Sequence, residues 1–182
     1  MCEALDIMPV VTTACGATDD KSETVEDMAS FLEYLYGTNG TEFGRLRHAD
    51  GHPKPYAQIH FEIGNEEHFD PAYLDRVVAT VGAMEAKAKE LQLPVLPTYL
   101  FDAQVSSSVF LNSTTVRLLT GFLKKMKPLG GRLLADFHTG TFGLSPVDKL
   151  PYLLVMKNLT KIAAAAGSGT EFRRLGGSRG FF

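Results

Sequence analysis

The chain has 182 residues, 45% hydrophobic and 21% charged, with 17 Gly, 9 Pro and no Trp. That is ordinary globular composition, sufficient for a core of domain size and too polar for a membrane protein. Lys and Arg number 18 against 21 Asp and Glu, a net charge of -3, so no overall basic field exists to attract nucleic acid or an anionic membrane. Cys2 and Cys15 are too few for a disulfide scaffold and lie in no metal-ligand spacing.

The opening MCEALDIMPVV has no basic segment before a short apolar run, so it reads as neither a signal peptide nor a membrane span, and the compartment is not written in it. Ile7 to Thr13 is a β-branched, apolar run bounded by Ala14-Cys15-Gly16, which predicts a buried strand. Val25, Met28, Ala29, Leu32 and Leu35 then recur at helical spacing, with Ser22 available as a cap and Gly37 as a stop. The stretch TNGTEFGRLRHADGHPKP reads as a long loop. It leads to a second strand, in which Ile59, Phe61 and Ile63 alternate with His60, Glu62 and Gly64.

Asp70-Pro71 opens the clearest helix, with an apolar stripe from Leu74 through Val77, Val78, Val81, Met84 and Ala88 to Leu91. Pro94 to Asp102 reads as a third strand, and about Ser113 to Lys127 as a helix with Val116, Leu119, Leu123 and Met126 inward. GRLLADFHTG forms a fourth strand, and a helix from about Lys149 follows, with Val155, Met156, Leu159, Ile162 and Ala163 on one face.

Four strand-helix units in alternation specify an α/β fold with a parallel sheet, either open and doubly wound or part of a (β/α)8 barrel. No Gly-x-Gly-x-x-Gly and no Walker lysine is present, which weakens the nucleotide-binding version. A whole barrel needs about 250 residues, so the expectation is a partial TIM barrel over residues 1–166. Residues 167–182 fit neither period and read as an irregular tail, foreign in character to the rest.

Chemistry concentrates where strands end. Glu62, Gly64 and Glu66 fall on one face of the second strand and Phe61 and Ile63 on the other, so the apolar side can meet helices while the carboxylates point to the ligand-binding side. Asp136 and His138 end the fourth strand at the same edge, and Tyr99 and Asp102 end the strand between. The bland reading of Glu66 and Glu67 is a solvated cap for the next helix. A metal set of His60, Glu62, Glu66 and His68 matches no ligand spacing, so no metal is assigned.

These residues carry a resemblance. Gly44-Arg45-Leu46-Arg47, Gly51-His52-Pro53 with Pro55-Tyr56, and Glu62-Ile63-Gly64-Asn65-Glu66 resemble, in order and spacing, the approach to the acid/base strand of family 51 glycoside hydrolases, the α-L-arabinofuranosidases. MCEALDIMPVVTTACG resembles the third strand of that family's barrel and LLADFHTG its sixth. The resemblance implies a retaining mechanism with two carboxylates about 5–5.5 Å apart. Glu66 would be the acid/base, Asn65 would hold the hydroxyl beside the anomeric carbon, and Glu62, His138 and Tyr99 would orient or bind sugar. The family's nucleophile is a Glu ending the seventh strand. Here the only late glutamate is Glu171, in a stretch without an apolar run, so the nucleophile stays unassigned and the expectation is a fragment that records its parent's chemistry without completing it.

The implied substrate is an arabinose-containing oligo- or polysaccharide, with no organic cofactor and no nucleic-acid or membrane partner. Exposed sheet edges make self-association a further expectation. The alternatives are another glycosidase of the same clan, of endoglucanase or xylosidase type, or a non-catalytic carbohydrate-binding protein; a second carboxylate near Glu66 discriminates between catalysis and binding.

Overall fold

A computed structural model describes residues 2–13, 21–103, 112–136 and 150–172. Its elements are β1 (Val10–Thr13), α1 (Lys21–Tyr36), α2 (Glu42–Ala49), β2 (His60–Ile63), α3 (Pro71–Glu90), β3 (Thr98–Asp102), α4 (Ser113–Lys125), β4 (Leu133–Asp136), α5 (Leu150–Ala165) and β5 (Glu171–Phe172). The chain divides into two compact units, Met1–Asn65 with Asp75–Tyr99, and Glu66–Leu74 with Leu100–Phe182. The division falls inside β3.

In the first unit the sheet order runs β1-β2-β3. β1 and β2 are parallel, with Val11 level with Phe61 and Thr12 level with Glu62. One face of the sheet is apolar because alternate residues share a side. Phe61 meets Phe31 of α1 edge-on at 6.2 Å and lies 6.3 Å from the ring of Tyr99. Met28, Leu32 and Leu35 of α1 and Val77, Val81, Met84 and Ala88 of α3 are buried, as their spacing predicts.

In the second unit the order is β3-β4-β5, and β4 pairs β5 in parallel. Every residue of β4 is buried, the signature of a strand covered on both faces. Phe101 of β3 packs on Phe122 of α4 at 4.8 Å, and Leu119 and Leu123 complete the buried stripe of that helix. Asn112 caps α4, its Oδ1 accepting the Thr114 amide at 2.8 Å.

The α/β alternation and the parallel pairing match the expectation, while among the described residues the strand order ends at β1 and β5 and does not close into a barrel. Four local readings need correction. First, the segment read as a loop contains α2, eight residues long. Apolar period is weak there, and capping supplies the helix instead: the Thr41 side chain accepts from Gly44 N, Glu42 lies in the first turn, and Arg47 and His48 lie in the last.

Second, β1 begins at Val10, and Ile7, Met8 and Val10 are exposed, because β1 lies at the end of the strand order. Third, β3 starts at Thr98 rather than Pro94; Pro94 and Pro97 have no amide to give a ladder. Fourth, the region read as an irregular tail contains β5. Gly167, at φ 65, ends α5 in the left-handed conformation. The Gly167 and Ser168 amides return to the Ala164 and Ala163 carbonyls at 3.0 Å, and the chain turns back toward β4.

Candidate active site

The candidate site grows from β2. His60, Phe61, Glu62 and Ile63 are extended, and the Gly64 amide continues the ladder by donating to the Thr13 carbonyl at 3.1 Å. Glu62 stands on the face opposite Phe61 and is buried, 7% exposed. Its Oε2 accepts the hydroxyl of Thr12, its level neighbour on β1, at 2.5 Å. A buried carboxylate needs such donors, because losing its hydration without them costs several kcal/mol. Thr12 was not singled out from sequence; its place in the VVTT run, level with a carboxylate, is the signal that would have found it.

After β2 the chain twists sharply. Gly64 has φ 88, natural for glycine, and Glu66 has φ 55, which an L side chain adopts only at a cost of about 1–2 kcal/mol. Asn65 and Glu66 are both exposed, so the pair is presented to solvent on a turn rather than packed.

In the second unit the residue after Glu66 is anchored. The Glu67 amide donates to Asp102 Oδ2 at 2.7 Å, and Asp102, at the end of β3, is 0% exposed. Asp136, ending β4, is also buried.

Tyr99 lies in β3, within the first unit. It is fully buried on the Phe61 side, and its hydroxyl donates to Glu85 of α3 at 2.9 Å. Strand alternation places it on the helix-packed face, opposite the face that carries Glu62. His138 lies outside the described residues. Glu171 is not in an unstructured tail: β5 carries it, level with Leu134 of β4. Among the described residues no group of three or more His, Cys, Asp or Glu side chains could hold a metal ion, and no helix is long and apolar enough to cross a membrane.

Two kinds of similarity accompany this geometry. The family model described as the alpha-L-arabinofuranosidase 1 domain matches residues 1–114, more than half of the 182. The chain is 30% identical over 93 residues to an extracellular exo-alpha-L-arabinofuranosidase of Streptomyces chartreusis, a stretch that is 48% of this chain and 11% of that protein. It is 38% identical over 64 residues to a probable alpha-L-arabinofuranosidase A of Emericella nidulans, 34% of this chain and again 11% of the relative. The chain thus matches about a tenth of the length of these curated relatives.

Proposed function

The chain belongs to the alpha-L-arabinofuranosidase 1 domain family, and we propose that it carries the chemistry of a retaining glycoside hydrolase releasing terminal arabinofuranosyl residues from arabinose-containing oligo- or polysaccharides. The observation that carries this reading is the exposed, left-handed turn at Glu66, directly beyond the carboxyl end of β2. In parallel α/β folds that end of the strands is where substrate is bound and transformed. Its parallel order is read here as part of a (β/α)8 barrel.

Glu66 is assigned as acid/base. In the first step its carboxyl gives a proton to the leaving sugar oxygen as the bond to the anomeric carbon breaks; in the second its carboxylate removes a proton from the attacking water. Asn65 is assigned to the hydroxyl beside the anomeric carbon, a hydrogen bond that strengthens as positive charge develops on the ring. Glu62, held by Thr12, and His138 are assigned to orienting the sugar.

Glu171 is the candidate for the nucleophile that the sequence leaves unassigned. If β1 corresponds to the third barrel strand and β4 to the sixth, β5 is the seventh, where the family resemblance expects that group. Its register puts it level with Leu134, two positions before Asp136, about 6.6 Å along the strand. That offset makes Glu171 the part of the assignment that mutation must decide.

The test of the function is arabinose release from an arabinose-substituted oligosaccharide by the full chain, with the product's anomeric form followed by NMR from the first turnover. Release with retained configuration is expected. Inverted product, or binding without release, overturns the reading, and binding alone establishes the non-catalytic alternative.

A further inference from the structure

We propose that Asp102 is a positioning residue that fixes the turn bearing Glu66; the proposal rests on the glycosidase reading of that turn. Asp102 has no exposed surface, and a carboxylate buried to that degree is retained only where donors replace its water. One such donor is the Glu67 amide, 2.7 Å from Oδ2. The contact falls on the peptide immediately after the assigned acid/base.

The same residue holds the other end of the segment. The Asp102 amide donates to the Tyr73 hydroxyl at 2.7 Å, and Tyr73 is itself fully buried in the first turn of α3. The Tyr73 amide donates to Asp70 Oδ1 at 2.8 Å, capping that helix, and the Asp70 amide donates to the His68 carbonyl at 2.8 Å. Hydrogen bonds therefore run from Glu67 through Asp102 to Tyr73, and the chain from Glu67 to Tyr73 closes the ring. All of these residues belong to one compact unit.

The ring explains how Glu66 keeps φ 55. A non-glycine residue relaxes from the left-handed region unless its surroundings over-determine it. The residue that follows Glu66 is tied by its amide to a fully buried side chain. Cutting that tie frees the Glu66 backbone to return to the extended region and carries its carboxyl away from the glycosidic oxygen. A displacement near 1 Å is enough to cost about 100-fold in rate. Asp102 acts through this backbone and touches no substrate.

The test uses the full chain with Asp102→Ala, Asp102→Asn and Tyr73→Phe, reading amide hydrogen exchange at Glu67 by NMR and hydrolysis of an aryl α-L-arabinofuranoside. Asn keeps an oxygen able to accept the Glu67 amide, so Asp102→Asn should retain slow exchange and most of the turnover. Asp102→Ala should speed Glu67 exchange at least tenfold and lower kcat about 100-fold with KM nearly unchanged. Tyr73→Phe should fall between the two. Exchange at the α4 amides controls for loss of fold, and if Asp102→Ala fails that control, Asp102→Asn and Tyr73→Phe decide the matter.

Glu67 exchange in Asp102→Ala and Tyr73→Phe equal to that of the native chain overturns the proposal. So does full loss of turnover in Asp102→Asn with Glu67 still protected, since that would mean the charge acts directly. A native chain that hydrolyses nothing fails the glycosidase reading alone, because the exchange result still decides whether Asp102 holds the turn.

Discussion

Arg47 is 1% exposed, and its guanidinium is held by carbonyl oxygens. Nε donates to His52 at 3.0 Å, Nη1 to Tyr34 at 2.8 Å and Leu35 at 3.2 Å, and Nη2 to Pro53 at 3.5 Å. The Tyr34 and Leu35 carbonyls belong to the last turn of α1, the negative end of a helix dipole, which favours a cation. The planar fork serves several acceptors at fixed angles, and a lysine ammonium cannot. Arg47→Lys and Arg47→Ala should both lower unfolding free energy, the alanine by about 2–4 kcal/mol, because buried carbonyls lose their donors. Urea denaturation checks this; a loss below about 0.5 kcal/mol would mean that water replaces the side chain. None of it was legible in RLRH, where a polar stretch gave no reason to place one arginine inside. Glu66 and Asn65 were legible because they stand in a strand-end motif. The contact of Asp102 with Glu67 joins residues 35 apart in sequence, and no local pattern encodes it.

At the scale of elements, three helices converge on one carboxylate. Glu33 of α1 accepts the Phe43 amide of α2 at 3.1 Å and the Lys87 ammonium of α3 at 3.1 Å. Burial pushes the Glu33 carboxyl up, but the Phe43 amide, Lys87 and Thr41 together outweigh it and hold the group below its ordinary value near 4.5. Lys87 is held above its ordinary value, chiefly by hydrogen bonding to Glu90 and then, against burial, by Glu33. A carboxylate lowered on folding contributes stability that is complete above the unfolded pKa and is lost as pH falls through the folded one. The urea midpoint should therefore drop as pH is taken below about 4.5, and Glu33→Gln should be less stable near neutrality and show a shallower drop in acid. A parallel pH profile in Glu33→Gln would show that other carboxylates carry the acid sensitivity. The long helices were legible because apolar residues repeat at three and four. α2 was not: it is eight residues long, and its polar sequence is held by a cap and by Gly44, where a β-carbon would collide with the Thr38 carbonyl.

At the scale of the whole molecule, β1 is the end of the strand order; its Val10 and, just before it in the chain, Ile7 and Met8 are about half exposed, with Leu5 at 61%. An uncovered edge strand with apolar side chains is a template for pairing with another chain. The particle mass should rise with concentration, and Val10→Lys should suppress the rise without changing the helical signal. Sedimentation velocity checks this, and a concentration-independent mass would show the edge to be protected. The alternation that predicted a parallel sheet needed only the periods of its segments. The two-residue β5 escaped it because so short a strand has no period.

Glycosidic chemistry at Glu66 is tested most directly by kcat/KM on two aryl α-L-arabinofuranosides, one with a phenol and one with a dinitrophenol leaving group, using the full chain, Glu66→Ala and Glu171→Ala. This ratio reports the step in which the glycosidic bond breaks. Only the poorer leaving group needs a proton, so Glu66→Ala should lose about 100- to 10,000-fold on the phenyl substrate and little on the dinitrophenyl one. Glu171→Ala should lose activity on both. Equal losses on the two substrates in Glu66→Ala, or none on either, would contradict the assignment of Glu66 as the acid/base.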